Sequence, residues 1–200
     1  MMRRKRALGA GLPLRSACFI IGSVKHLEPI FFILPAAFRG LPAGIFIGVA
    51  STAIMDGLAT VQDRFGFINK PSLALLGRWV FEVFSGHFRQ APNDIRGARP
   101  RRYETSVGLM AHYAIGSVLG VGFYSLFRLD TFTARSIAAI GYGFATNLFP
   151  WLIMFPSMGF GFFARNTLPE VRLFRTSLVN HLNFGVGLAL SSAFLISSLV

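Results

Sequence analysis

Hydrophobic residues run along this chain in four blocks, separated by stretches in which arginine, proline and glycine gather. Residues 41–62, LPAGIFIGVASTAIMDGLATVQ, have the ~20-residue length that crosses a hydrocarbon core as an α-helix. Residues 106–127, 133–154 and 177–199 match that length and carry few charges. A helix satisfies every backbone donor and acceptor without water, so blocks of this kind predict spanning helices. The expected fold is all-α, a transmembrane bundle of four helices formed by residues 41–200.

The connection between the first two blocks is not a plain loop. In residues 71–85, PSLALLGRWVFEVFS, the side chains of Leu73, Leu76, Val80 and Phe84 recur at helical spacing, with Trp79 and Val83 alongside. Pro71 suits a first helical turn, and Arg78, Glu82 and Ser85 fall on another face. The pattern predicts an amphipathic helix lying in the headgroup region, with Trp79 at the interface. The alternative is a helix packed on the ends of the bundle.

Composition supports lipid as the solvent. The chain is 53% hydrophobic and only 14% charged, against ~25% charged in an ordinary soluble domain. So few charges cannot cover the surface of a 200-residue domain in water. A formal charge of +12 invites a nucleic-acid reading. The basic residues, however, lie between and around the apolar blocks, as topology-setting loop charges do, so nucleic acid is excluded from the expected partners. Cys18 is the only cysteine, which leaves neither an internal disulfide nor a thiolate cluster for structural zinc.

Residues 1–40 form a basic extension that opens with Arg3, Arg4, Lys5 and Arg6 and continues as short apolar runs broken by Arg15, Lys25, His26 and Glu28. No unbroken run follows the basic start as a signal peptide requires. Counting Lys and Arg on the two sides of the four blocks gives nine against eleven, which sets no orientation. Without residues 1–38 the count is three against eleven, which puts the first and third connections in the cytoplasm.

Ionisable residues inside a span are costly, and they face the bundle interior or a water-filled cavity. Gly44, Gly48, Thr52 and Asp56 follow at steps of four along the first helix, and Gly108, His112, Gly116 and Gly120 do so along the second. Small residues at these steps let helix backbones approach closely. Gly185 of the fourth block belongs with these packing glycines. Each stripe therefore predicts a helix contact carrying one polar side chain. Asp56, His112, Asn147 and His181 fall at similar depth from one face in four antiparallel spans and are expected to meet there as a polar cluster, with Arg78, His87, Arg165 and Arg172 near its mouth. Two histidines with an aspartate have the composition of a proton relay or a metal site, and equally of a hydrogen-bond cluster that sets helix register. No tight motif supports a metal, and no cofactor is expected.

Other motifs fail on context. Gly159, Gly161 and Ala164 satisfy the dinucleotide spacing, but they follow a span instead of a strand and lead into Arg165, Asn166, Thr167, Leu168 and Pro169. Ser157 and Gly159 resemble half of a nucleophile elbow, with Phe155 where its first glycine belongs.

Met55-Asp56, Gly77-Arg78-Trp79, Gly86-His87-Phe88 and Ala111-His112-Tyr113 with Gly116 form one ordered series of short motifs. Pro156, Gly159, Gly161, Arg165, Thr167, Pro169, Arg172, His181, Phe184 and Gly185 continue it. Over roughly residues 41–198 the series resembles a bacterial four-span integral-membrane protein family known only as a domain of unknown function. The resemblance implies a multi-pass inner-membrane protein without an assigned activity, substrate or cofactor. It leaves residues 1–40 outside the pattern, as expected of an over-extended start of translation; an amino-terminal peptide of the expressed protein found by mass spectrometry would defeat that idea.

The leading expectation is a protein that binds or passes a small solute or protons through the polar cluster. One alternative is a membrane enzyme using Asp56 and the histidines as a metal or acid–base site. Another is a non-catalytic assembly partner, its glycine faces meeting a second copy or another membrane protein.

Overall fold

The computed structural model of the chain describes residues 28–89, 95–127, 131–167 and 170–197, with side chains except at 28–39, 170, 171 and 196. The basic start at Arg3, Arg4, Lys5 and Arg6, together with Cys18, Arg128, Leu168 and Pro169, lies outside the described residues. The chain divides into two units, 1–39 and 40–200. Of the first, the helical residues 28–39 are described. The second holds all the candidate spans and every residue of the expected cluster.

The described residues are helical and include no strand. Helix α1 covers Glu28–Arg64, α2 Leu73–Phe84, α3 Glu104–Leu126 and α4 Phe132–Thr146. The short α5 covers Phe155–Ser157, and α6 covers Glu170–Ser197. Four stretches have the length and composition to cross a bilayer: Gly40–Arg64, Glu104–Leu126, Phe132–Ser157 and Arg172–Leu195. The fourth begins five residues earlier than its apolar run, at Arg172 rather than at 177. The added stretch carries two exposed arginines, Arg172 and Arg175, and the buried Thr176, which a hydropathy pattern scores as loop.

Local chemistry sets the helix ends. Ser72 caps α2 by accepting a hydrogen bond from the Leu75 N–H at 3.3 Å, so Pro71 stands before the cap and not in the first turn. Past the end of α2 and its cap Ser85 the chain turns at Gly86, whose φ of +83° costs a residue with a Cβ far more than it costs glycine. Thr131 caps α4 in the same way through the Ala134 N–H.

The third span is not one uniform α-helix. Pro150 has no N–H to give, and the backbone widens into a π-helical turn over Pro150–Met154 before α5 resumes it. Asn147 sits at the end of α4 fully buried, its side-chain amide donating to the Phe144 carbonyl at 3.1 Å. The Trp151 N–H returns to the Asn147 carbonyl at 3.0 Å.

Helices meet through glycine. Gly48 lies against Gly116 and Ser117, and Gly44 against Val121, which brings α1 onto α3. Gly185 lies against Ala139 and Gly143, bringing α6 onto α4; a Cβ on Gly185 would stand 2.8 Å from the Ala139 carbonyl oxygen. The stripe of α3 has two partners: Gly116 and Gly120 face α1, whereas Gly108 faces Leu73 and Gly77 of α2. All six glycines singled out from the sequence thus face helices of this same chain. Gly57 and Gly141 have open space around them.

Helix α2 is packed on the protein along part of its surface. Gly77, Arg78 and Trp79 are its buried residues, whereas Phe84 is 87% exposed. This departs from the expected division of faces, which put Arg78 on the polar side. Trp79 joins Trp151, Phe155, Met158 and Phe160 in an aromatic cluster at one end of the bundle, and its indole N–H donates to Ser157 Oγ.

Candidate functional site

Helix α6 organises the polar interior because two of its faces carry polar and small residues. Thr176, Asn180, Asn183, Gly187 and Ser191 follow at helical spacing on one face. On this face Thr176 accepts from the Asn69 N–H at 3.4 Å. Asn183 and Gln62 exchange two amide hydrogen bonds, at 2.8 and 3.2 Å. Ser191 and Ser51 share a hydrogen bond of 2.9 Å, and a Cβ on Gly187 would stand 2.7 Å from the Ser51 Cα. This face is therefore laid against α1 and the loop that follows it. The other face, Ser177, His181 and Gly185, looks toward α4.

The four cluster residues lie at one level. Asp56 is eight residues from Arg64, His112 eight from Glu104, His181 nine from Arg172 and Asn147 ten from Ser157. At 1.5 Å per residue this is roughly 12–15 Å from the same end of each span.

They meet as two groups. Asp56 Oδ1 and His112 Nε2 are 3.1 Å apart, and the Tyr113 hydroxyl donates to Asp56 Oδ2 at 3.4 Å. This group is partly open, with the side chains of His112 and Asp56 20% and 31% exposed. The second group is closed: Ser177 Oγ donates to Asn147 Oδ1 at 3.0 Å, and His181 Nδ1 shares a hydrogen bond of 2.7 Å with Thr146 Oγ1. The hydrogen bonds of the four cluster side chains stay within their own groups.

A polar path leads from Asp56 toward the loop. Thr60 Oγ1 donates to the Asp56 carbonyl at 2.7 Å, and Lys70 Nζ donates to Thr60 Oγ1 at 2.9 Å. The Lys70 N–H is held by Asp63 Oδ1 at 3.0 Å. Nearby on α6, Asn180 is buried, and its Oδ1 is a side-chain acceptor without a hydrogen-bond partner.

The expected mouth residues are scattered in role. Arg78 is buried and engaged: its guanidinium grips Glu104 at 2.9 and 3.0 Å and donates to the carbonyls of Ile95, Arg96 and Ala98. The Glu104 carboxylate holds the Arg78 guanidinium above its ordinary pKa. Arg78 therefore fastens the 95–103 segment and does not open onto a mouth. His87 lies 3.4 Å from Glu82, Arg165 packs over the Phe162 ring, and Arg172 is exposed.

Among the described residues no three His, Cys, Asp or Glu side chains come together as ligands. Asp56 and His112 pair, whereas His181 turns to Thr146.

Sequence reading missed Tyr113, Lys70, Thr60, Gln62, Asn180 and Asn183. Asn180 and Asn183 share a helical stripe with Thr176, and Tyr113 follows His112 directly, so both signals were present. Nothing local pointed to Lys70, which reaches Thr60 by the turn at Phe65–Ile68.

Residues 45–195 match the family described as "Protein of unknown function (DUF2938)". No curated protein and no solved structure matches the chain.

Proposed function

Since the chain belongs to the DUF2938 family, whose function is unknown, we propose from the site itself that this multi-pass membrane protein binds and passes protons or a small polar solute near one membrane face. The carrying observation is the Asp56 carboxylate bonded to His112 and Tyr113 inside two spans while partly open. A carboxylate at this depth is costly in hydrocarbon, by ~2.5–3.5 kcal/mol at a helix centre, and exchange of a proton with a neighbouring imidazole relieves that cost.

Thr60 and Lys70 set a hydroxyl and an ammonium one helical turn from Asp56 on the loop side, the hydroxyl bonded to its backbone carbonyl. Asn180 Oδ1 offers a buried acceptor to a donor group of the solute. In this proposal the bilayer is the bacterial inner membrane, as the family resemblance implies. The first and third connections face the cytoplasm, as the charge count of three against eleven suggests. Helix α2 lies at the headgroups of that side.

Purified protein in liposomes loaded with a pH-sensitive dye tests the reading. Wild type should raise proton leak above empty liposomes under an imposed gradient, with or without candidate solutes, and Asp56→Asn should return it to the empty-liposome rate while remaining monodisperse. An Asp56→Asn protein that folds and conducts like wild type overturns the proposal, as does a wild type indistinguishable from empty liposomes in every gradient tried.

A further inference from the structure

Between Phe81 of α2 and the loop that leads into α3 lies an open groove of about 560 Å3, lined by Phe81, Arg99, Pro100, Arg101 and Arg102. We propose that this groove holds the phosphate headgroup of an anionic phospholipid. The span Glu104–Leu126 begins two residues beyond Arg102, so the groove stands where the hydrocarbon ends. The inference rests on the four-span reading and not on any transport activity.

The charges in the groove are unequal in availability. Arg101 is tied to Glu82 at 3.0 Å and lies over the Phe81 ring. Arg99 and Arg102 are exposed, and neither has an ion pair among the described residues. Arg102 is steadied by the Tyr103 ring, 4.7 Å beneath its guanidinium. Two guanidiniums without a carboxylate, on a backbone fastened by Arg78 through the Ala98 carbonyl, present forked donors that match phosphate oxygens.

The surroundings favour a lipid phosphate over a dissolved one. Tyr103, which lies under the Arg102 guanidinium, is 62% exposed, and Phe84, one turn of α2 beyond Phe81, is 87% exposed. Aromatic side chains of this kind sit at the boundary between headgroups and acyl chains. Farther along α3, Met110 is 72% exposed.

Native mass spectrometry of the detergent-purified full chain, titrated with phosphatidylglycerol or phosphatidylethanolamine, tests the proposal. Wild type should retain phosphatidylglycerol in preference. Arg99→Gln/Arg102→Gln should weaken that retention by at least about tenfold, each lost pair of charged hydrogen bonds being large on this scale. Arg64→Gln/Arg175→Gln, an equal change of charge on exposed residues elsewhere, should lower it less than threefold by the same reasoning about unshared contacts. The proposal is overturned if the first double variant binds as wild type does, if the second loses as much, or if inorganic phosphate displaces the lipid. A photoactivatable phosphatidylglycerol on the wild-type protein gives a readout that needs no variant. Crosslinks in the peptide holding residues 99–103 support the site, and crosslinks confined to other peptides overturn it.

Discussion

Gly77 and Gly108 touch backbone to backbone where α2 crosses α3. A Cβ on Gly77 would fall on the Glu104 carbonyl and 2.8 Å from the Gly108 nitrogen, and one on Gly108 would fall on the Leu73 carbonyl and 2.9 Å from the Gly77 nitrogen. Backbone atoms cannot rotate away as a side chain can, so either helix must move. Gly77→Ala and Gly108→Ala are each expected to lower stability by about 2–3 kcal/mol. Gly57→Ala, into open space on α1, should be neutral or stabilising by up to ~1 kcal/mol through helix propensity. Unfolding in SDS titrations reads all three, and a Gly108→Ala protein as stable as wild type would remove the close crossing.

Arg78 predicts a failure localised to one segment. It fixes the connection by pairing with Glu104 and donating to three carbonyls between residues 95 and 98. Removing it leaves the Glu104 carboxylate with the Arg101 N–H as a remaining partner and takes the donor from three carbonyls, so the variant should be less stable than wild type. Arg78→Lys cannot reproduce the two-pronged contact and should recover less than half. Limited trypsinolysis should cut Arg78→Met first at Arg101 or Arg102, many times faster than wild type; the Arg99–Pro100 bond resists trypsin in either protein. Cleavage first in another connection would contradict this role.

The spans were legible because hydropathy over twenty residues is a local property. The stripes that carry Asp56 and His112 were legible as helix contacts, but which of the four polar residues would bond one another was not. What was not legible depends on partners far along the chain. Arg78 looks like a polar-face residue until Glu104, 26 positions away, is brought beside it. Gly77 looks like a break in an amphipathic helix until Gly108 is found against it. The pattern starts the fourth span at 177, and nothing in it shows that its polar residues Ser177, Asn180 and Asn183, with Thr176 just before them, are all buried. Burial of polar residues depends on what covers them, which no window of sequence contains.

Gln62 and Asn183 make a reciprocal amide pair between α1 and α6, and each amide is the partner of the other. Gln62→Leu or Asn183→Leu alone should lower stability by about 1 kcal/mol or somewhat more, because the remaining amide keeps its desolvation and loses its bonds. The double variant should fall by less than the sum, with a coupling of about 0.6 kcal/mol, the scale of hydrogen bonds between membrane helices. Strict additivity in a double-mutant cycle would mean that the two amides act independently.

The same cycle on Asp56 and His112 separates a structural pair from a working one. If the 3.1 Å contact serves only to register α1 on α3, Asp56→Asn and His112→Gln should each cost about 1 kcal/mol and show coupling of a similar size. Proton leak in liposomes would then follow the folded fraction. If the pair exchanges a proton, Asp56→Asn should abolish the leak in protein that is fully folded, and His112→Gln should do the same. Tyr113→Phe, which removes only the longer 3.4 Å bond, should reduce the leak by less than about tenfold, the effect of ~1.4 kcal/mol. The decisive comparison is between leak and folded fraction across the three variants, measured on one preparation. Proportionality between them assigns the pair to helix registry. Loss of leak at full folding in both Asp56→Asn and His112→Gln assigns it to proton transfer.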